Sequence, residues 1–224
     1  TALALQVRSF GESNREAVFL TAEEGLLRAT VFGGPKSKLR SYAAPYHGGK
    51  IWIYRDPVRD SRKLTDFDVL SWRPGIRESY GKLMAAGALA ETILASHGGG
   101  GSWTEALDLA NGTLDALDAG TENTILGTIL RFLLLWAELL GAVPELDRCC
   151  RCACTPREDE VLYYSRIEGA LVCAECAAPL LRSAAEDLIS LGPGARRWIS
   201  AAARLSAAEA LRYGMDGRSS SQVQ

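Results

Sequence analysis

The sequence predicts an α+β protein of more than one domain, in which a small barrel precedes a helical domain that carries an embedded four-cysteine zinc motif. Three observations predict this architecture. Short alternating segments run from Ala4 to Trp72, helical periodicity replaces them after Pro74, and all six cysteines lie between Cys149 and Cys176. The chain has 224 residues and a hydrophobic fraction of 47%, which is enough to bury a core in one large or two modest domains.

Five segments are predicted to be strands, because apolar and polar residues alternate along them and turn residues separate them. They are Ala4–Arg8, Arg15–Thr21, Leu26–Phe32, Lys50–Tyr54 and Thr65–Trp72. A tight turn ending at Gly25 is predicted to join the second strand to the third. A free sheet of five short strands would expose its edges, so we predict that the strands close into a barrel of the SH3-like or OB type.

Helical spacing of apolar residues follows the barrel segment. It predicts helices over Ile76–Ser96, from a capping box of Ser102 and Glu105 towards Leu117, and over Thr124–Leu140. Beyond the cysteines, Pro179 is predicted to open a helix, and Ser206 with Glu209 to cap the last one. No apolar run is long enough to predict a membrane span.

The cysteines form two C-x2-C pairs, Cys149 with Cys152 and Cys173 with Cys176, separated by 20 residues. Two such pairs with a spacer of about 15–20 residues are typical of a four-thiolate zinc site. Each pair supplies two corners of a tetrahedron, and a strand-like spacer around Tyr163 lets the pairs face each other. Because four cysteines leave no open coordination position, we predict one structural zinc ion.

Two other uses of the cysteines fit the sequence less well. A disulfide cluster would suit a secreted domain, but neither a signal peptide nor any cysteine outside this segment is recognisable. A redox-active C-x2-C would require a thioredoxin-like βαβ pattern, which is not seen here. The ligand set itself stays open at one point, because Cys150 or Cys154 is close enough in sequence to replace one of the four.

Charge is distributed unevenly along the chain. Residues 1–80 carry a net charge of +4 and residues 81–224 a net charge of −6, which hints at an anionic partner for the barrel. In the stretch GGPKSKLR the basic residues alternate, so an extended loop would project them to one side and form a patch that contacts phosphates. The candidate DNA-binding residues are Lys36, Lys38, Arg40, Lys50, Arg55, Arg59, Arg62 and Lys63.

Other candidate site residues have weaker support. Trp52 and Tyr54 alternate on a predicted strand; we expect at least one to lie in the barrel core, with stacking on bases as the alternative. His47 and His97 stand beside glycines and are expected at the surface. The GGPKSK loop lacks the ending of a phosphate-binding loop, and no catalytic constellation is recognisable, so we predict that the protein is not an enzyme.

The stretch FGESNREAVFLTAEEGLLRATVFGGPKSK resembles the start of the RecO family of bacterial DNA repair and recombination mediators. The order of barrel, helical region, LDRC-x2-C knuckle, second C-x2-C pair and C-terminal helices is similar to that family along nearly the whole chain. In one respect the chain departs from the pattern. Family members that keep the zinc site commonly have glycine after the second cysteine, whereas Ala153 and Cys154 follow here.

The resemblance implies an OB-fold barrel and a role without bond chemistry. We accordingly predict a DNA-binding OB-fold at 1–76, a helical domain at 77–147 and 177–216, a zinc motif at 148–176 and a flexible tail at 217–224. Family members bind single- and double-stranded DNA, anneal complementary strands and act with RecR to help load RecA onto DNA coated with single-stranded DNA-binding protein. A cytoplasmic, nucleoid-associated protein with no membrane partner is expected. The alternative function is a zinc-stapled adaptor for protein-protein interactions, whose barrel binds a peptide.

Overall fold

The N-terminal strands form a closed barrel. In the computed structural model, which describes residues 1–10, 14–33, 37–99, 101–205 and 209, the strands are β1 (Ala2–Phe10), β2 (Asn14–Thr21), β3 (Gly25–Val31), β4 (Gly48–Arg55) and β5 (Arg62–Ser71). Their order around the barrel is β1-β2-β3-β5-β4, and β3 pairs in parallel with β5 while the other neighbours are antiparallel. A short helix, α1 (Lys38–Tyr42), lies between β3 and β4. This order is that of the OB-fold, so the predicted five-stranded barrel is confirmed and the SH3-like alternative is not adopted.

The barrel encloses a core of alanine, valine, leucine and phenylalanine side chains. Phe19 and Phe67 pack edge to face at its centre with ring centroids 5.8 Å apart. The other buried members are Ala2, Ala4, Ala17, Leu27, Ala29, Val31, Ala43 and Leu64. The close pairing of β4 with β5 depends on Gly49, because a Cβ there would lie 2.1 Å from the backbone oxygen of Asp68 on β5.

Three longer helices follow the barrel: α3 (Tyr80–Ala95), α4 (Trp103–Ala119) and α5 (Ile125–Leu139), with one turn, α2 (Pro74–Arg77), before them. The predicted helix over Ile76–Ser96 is therefore divided in two. Ser79 separates the parts because its extended backbone ends α2 and its side-chain oxygen accepts a hydrogen bond from the Lys82 amide, which caps α3. Ser102 caps α4 as predicted, accepting from the Glu105 amide at 3.4 Å.

Two buried polar side chains lie where the barrel meets these helices. Arg73 donates to Asp115 at 2.7 Å, to the Tyr46 carbonyl at 2.7 Å and to the Asn111 side chain at 2.9 Å. Neither its burial nor its left-handed backbone was indicated by the sequence. Its guanidinium group satisfies polar groups of both the barrel loop and α4.

The expectation that His47 lies at the surface is wrong. Its ring is buried, with Nδ1 2.8 Å from the Tyr42 carbonyl and Nε2 2.7 Å from the Arg77 guanidinium, and it makes a T-shaped contact with the Trp72 ring at a centroid distance of 4.9 Å. Burial lowers its pKa, and the bond to Tyr42 opposes that shift. His97, by contrast, is exposed as expected.

The chain divides into two compact units, Thr1–Phe132 with Leu139–Gly141, and Leu133–Glu138 with Ala142–Gln224. The barrel shares the first unit with α3 and α4. The predicted division at residues 76, 147 and 176 stays a prediction, and its tail, 217–224, lies outside the described residues, as does Ser206. No helix within the described ranges has the length and apolar character needed to cross a membrane.

The second unit contains a three-stranded sheet and two helices. The strands are β6 (Leu162–Ser165), β7 (Ala170–Val172) and β8 (Leu188–Leu191) in the order β7-β6-β8, and the helices are α6 (Ala174–Ser183) and α7 (Pro193–Ala202). The β6–β7 hairpin confirms the strand-like spacer between the cysteine pairs. β8 was not predicted, because its four residues carry no clear alternation on their own.

The prediction that Pro179 opens a helix is wrong. α6 begins at Ala174, directly after Cys173, and the Ala177 amide donates to the Cys173 carbonyl at 2.9 Å. Pro179 therefore lies inside the helix. The turn at the second cysteine pair starts the helix five residues before the proline that sequence rules favour as a start.

Candidate metal centre and nucleic-acid face

The four predicted ligands come together. One sulfur from each of Cys149, Cys152, Cys173 and Cys176 lies within 4.8 Å of the others. The Cys152 and Cys173 sulfurs are 3.8 Å apart, which is about the edge of a tetrahedron whose metal-sulfur bonds are about 2.3 Å long. All six cysteines are free thiols. The cluster is thus compatible with a structural metal bound by four sulfurs.

Backbone amide donors stabilise the thiolate form of the first cysteine pair. The Cys173 amide donates to the Cys149 sulfur at 3.3 Å, and the amides of Cys152 and Arg151 also point to that sulfur. Although burial raises the pKa of the Cys149 thiol, these donors lower it to about 6. The Cys154 amide likewise lowers the pKa of Cys152. Because the thiolate is the metal-binding form, these donors favour metal binding.

The turn after Cys152 is made by a residue in the left-handed conformation. Ala153 has φ +57°, and its amide donates to the Cys149 carbonyl at 2.9 Å. This is the position at which the sequence departs from the glycine of the resembling family. The backbone keeps the left-handed turn at this position, and the Cβ of Ala153 adds a steric cost that glycine would avoid.

The two additional thiols differ in their surroundings. Cys150 donates to Glu168 at 2.9 Å, and burial together with this carboxylate raises its pKa to about 11. The Cys154 carbonyl accepts a hydrogen bond from the Cys149 amide at 3.0 Å, and the neighbouring Cys152 thiol raises the pKa of the Cys154 thiol to about 12.

A second candidate site lies on the outside of the barrel. Ile51 and Ile53 of β4 pack against the core, so the alternating residues Lys50, Trp52 and Tyr54 face outward. Trp52 is 41% exposed and Tyr54 51%, and the expectation that one of them belongs to the core is wrong because the isoleucines occupy the inner face.

Two lysines lie over the rings on this face. The Lys50 ammonium is 5.2 Å from the Trp52 ring, and the Lys63 ammonium is 5.9 Å from the Tyr54 ring and 5.3 Å from that of Phe32. Phe32 follows β3 and is 46% exposed. We call Phe32, Lys50, Trp52, Tyr54 and Lys63 the aromatic-lysine face.

Acidic residues partly neutralise the positive charge of the barrel surface. Arg55 forms an ion pair with Glu24, and Arg62 lies 3.6 Å from the same carboxylate. Exposed Asp66 and Asp68 stand opposite Trp52 and Lys50 in the β4–β5 register. The net +4 of the first eighty residues is therefore not concentrated in one continuous basic surface.

The remaining predicted DNA-binding residues lie apart from this face in the chain. Lys36 lies outside the described residues. Lys38 is exposed and Arg40 half-buried, but both belong to α1, so the expected extended loop is wrong from Lys38 onward. Residues two apart on a helix point to different sides, and the two cannot form the one-sided row that extended backbone would give. Arg59 is exposed on the β4–β5 turn.

Comparison with known proteins assigns the chain to a family. The family described as "Recombination protein O C terminal" matches residues 77–197, more than half of the chain. The chain belongs to the RecO family. It is 29% identical to the DNA repair protein RecO of Anaeromyxobacter sp. (strain K) over 188 residues, 82% of this chain and 72% of the relative. It is 27% identical to the DNA repair protein RecO of a Nostoc species over 197 residues, 84% of this chain and 66% of the relative. These relatives support a role in DNA repair and recombination.

Some residues of this RecO-family chain were missed by reasoning from sequence. Phe32 ends a predicted strand, and the alternation of that strand would have placed it outside. Glu24 carries no local signal, because its pairing with Arg55 spans 31 positions.

Proposed function

We propose that this protein is a non-enzymatic DNA-binding mediator of recombinational repair, and that its barrel holds DNA on the aromatic-lysine face. The observation that carries the proposal is the row of exposed rings with lysine ammonium groups above them. Every base has a π-face, so stacking on such rings holds single strands of any sequence.

Lysines and rings play different parts in the proposed binding. Lys50 and Lys63 supply the positive charge that phosphates need, and each phosphate they neutralise releases counterions. The rings supply stacking, which does not depend on salt. Because Asp66 and Asp68 reduce the local positive charge, we propose that stacking contributes more to the affinity for single strands than charge does.

The other predicted basic residues remain proposed phosphate contacts. Lys36, Lys38, Arg40 and Arg59 would extend the binding path beyond the face. Arg55 and Arg62 would contribute less, since each must leave Glu24 to reach a phosphate. Double-stranded DNA would be held through these backbone contacts alone, because its bases are not free to stack on the rings.

Family membership extends the proposal to the partners. Annealing of complementary strands requires only that two phosphate backbones be brought together and neutralised, so the barrel needs no catalytic group for it. We propose that the protein acts with RecR on DNA coated with single-stranded DNA-binding protein, that RecA benefits indirectly, and that the protein is found in the cytoplasm with the nucleoid.

We also propose that the four clustered cysteines bind one structural zinc ion. A closed set of four thiolates offers no position for a substrate, and two of the sulfurs belong to the core of their unit. The metal would stabilise the fold of that unit, and DNA would bind elsewhere.

Fluorescence anisotropy of a labelled single-stranded oligonucleotide tests the barrel proposal. Replacing Trp52 and Tyr54 together with alanine should weaken binding at least about 10-fold, since each stacked base is worth about 1–3 kcal/mol. The slope of log affinity against log salt should stay the same. Replacing Lys50 and Lys63 with alanine should instead flatten that slope by about 1.4, or about 0.7 for each phosphate contact.

Tyr80→Ala is the matched control, because Tyr80 is an aromatic side chain on α3 that is 80% exposed. It should leave both affinity and slope unchanged. Wild-type affinity in the Trp52/Tyr54 variant would rule out the aromatic-lysine face as the DNA site. Annealing is measured separately with two complementary labelled strands, in the presence and absence of RecR.

A further inference from the structure

We infer that the DNA-binding surface of the barrel continues beyond the aromatic-lysine face to Phe10, where a further exposed ring stacks on a base. The inference deepens the proposed function and rests on it, because it assigns a base contact on β1, the strand that carries none of the predicted DNA-binding residues. The contacts lie in what we call the rim row, which consists of Phe10, Asn14, Phe32, Lys63 and Tyr54.

Strand register places three members of the rim row side by side. Tyr54 on β4 pairs with Lys63 on β5, and Lys63 pairs with Thr30 on β3. Phe32 lies two residues beyond Thr30, and the Lys63 ammonium is 5.3 Å from the centre of its ring and 5.9 Å from that of Tyr54. One lysine therefore joins two exposed rings that belong to different strands.

The same register continues across β2 to β1. Arg15 on β2 pairs with Val31 on β3, so the next residues at this end of the two strands are Asn14 and Phe32. Asn14 pairs in turn with Phe10 on β1. Phe10 and Phe32 therefore lie at the same end of the barrel, on either side of the strand that carries Asn14.

The rings of the rim row point away from the barrel core. Val7 and Val31 pack in that core. Phe10 and Phe32 lie an odd number of residues further along the chain, so they face outward, and Phe10 is 54% exposed. Single exposed aromatic side chains are common on protein surfaces, but here three rings lie in register on alternate strands of the barrel. Such a row offers π-faces to successive bases of a single strand.

Basic side chains accompany Phe10 on the outer surface. Arg8 donates to Glu16 at 2.8 Å, and Arg28 lies 3.7 Å from the same carboxylate. Two guanidinium groups share one carboxylate, which leaves one positive charge on this part of the barrel. The Arg28 side chain is 60% exposed and is the more weakly held of the two, so it can contact a phosphate at little cost.

The rim row sets the length of strand that the barrel holds. From Tyr54 to Phe10 it crosses β5, β3 and β2, which at about 4.8 Å for each step between strands gives about 19 Å. That is the length of about six nucleotides at the stacked spacing of about 3.4 Å, and of fewer in an extended strand. One OB-fold typically occupies about 4–16 nucleotides.

A length series of oligothymidylates, read by fluorescence anisotropy with the full chain, tests the inference. Phe10→Ala should weaken the binding of strands of about eight nucleotides at least about fivefold, the loss expected for one stacked base. Strands of about three nucleotides fit between Tyr54 and Phe32, so they should bind to Phe10→Ala and to the wild type within about twofold.

Matched variants separate stacking from other effects. Phe10→Leu keeps an apolar side chain without a π-face and should bind like Phe10→Ala, whereas Phe10→Tyr should keep wild-type affinity. Arg28→Ala should flatten the slope of log affinity against log salt by about 0.7. Tyr80→Ala removes an exposed ring from α3 and should change neither the affinity nor its dependence on length.

Each outcome decides. Wild-type affinity of Phe10→Ala at every length would overturn the inference, and so would wild-type affinity of Phe10→Leu, because stacking needs a ring. Equal losses for short and long strands would remove Phe10 from the end of the row. If thermal unfolding shows that Phe10→Ala is not folded, the comparison of Phe10→Leu with Phe10→Tyr decides. None of these results touches the proposed function, which fails instead if replacing Trp52 and Tyr54 leaves DNA binding unchanged.

Discussion

The barrel and the cysteine unit are stabilised in different ways. The buried cluster described at the centre of the barrel consists of alanine, valine, leucine and phenylalanine side chains, and the barrel sheet closes on itself. The buried cluster described in the cysteine unit includes Cys149 and Cys173, and the sheet described there has three strands. The proposed metal would therefore couple to the fold of the cysteine unit, whereas none of its proposed ligands lies in the barrel core.

The same contrast bears on where we propose that DNA binds. Phe19, Phe67, Ile51 and Ile53 pack on the inside of the barrel, and Phe32, Trp52 and Tyr54 are exposed outside it. The cysteine unit instead buries two of its four clustered cysteines. We therefore expect changes in one region to leave the other largely intact.

The largest expected effect comes from removing the metal. Replacing Cys149 and Cys173 with serine should abolish zinc binding and unfold the cysteine unit, because structural zinc supplies about 10–16 kcal/mol of apparent binding free energy to such units. Hydrogen exchange measured by peptide should show loss of protection over β6, β7 and α6, with the barrel still protected. Cys150→Ser is the control and should keep the metal. Loss of protection in both regions at once would show that the barrel also depends on the metal.

The next largest effect is expected on the stability of the barrel. Gly49→Ala should destabilise the barrel by about 3 kcal/mol, because the new Cβ meets the Asp68 backbone at 2.1 Å and the sheet must shift. Denaturant unfolding measures it. Gly112→Ala on α4 meets nothing within 4 Å and should instead stabilise by up to about 1 kcal/mol. Equal effects of the two substitutions would contradict the close approach at Gly49.

A smaller effect on stability is expected from the left-handed residue in the turn of the first cysteine pair. Ala153→Gly should stabilise the cysteine unit by about 1 kcal/mol, since glycine adopts the left-handed conformation without a steric cost. The same change at Ala178, exposed within α6, should destabilise by about 1 kcal/mol. Zinc affinity and thermal unfolding report both, and destabilisation by Ala153→Gly would argue against the left-handed turn.

The smallest effect concerns the charge of the barrel. Glu24→Gln releases Arg55 and Arg62 and should tighten DNA binding by up to about fivefold, with a steeper salt dependence, since exposed ion pairs are worth about 0.2–1 kcal/mol. Glu23→Gln removes the same charge from the same turn but leaves the pairs of Glu24 with Arg55 and Arg62 in place. Anisotropy titrations measure the DNA affinity of both variants. If both bind DNA more tightly by the same factor, the cause is the general change in charge and not the loss of the Glu24 ion pairs.

Elements whose signals are local can be predicted from the sequence. Alternation along each strand, the capping serine at Ser102 and the C-x2-C pairs depend on neighbours a few residues away, and the barrel, α4 and the clustered ligands were all found. The same locality explains the errors. Pro179 obeyed a helix-start rule that the turn at Cys173 overrode, and Lys38 and Arg40 lay in a stretch too short to show helical periodicity.

The face on which a side chain lies, and the distant residues that it contacts, depend on the tertiary fold. His47 was placed inside by Trp72 and Arg77, and Trp52 was placed outside because Ile51 and Ile53 fill the barrel. The pairing of Glu24 with Arg55 arises from chain reversals that bring the two side chains together. Burial and ion pairing depend on distance in space, whereas sequence patterns record only distance along the chain.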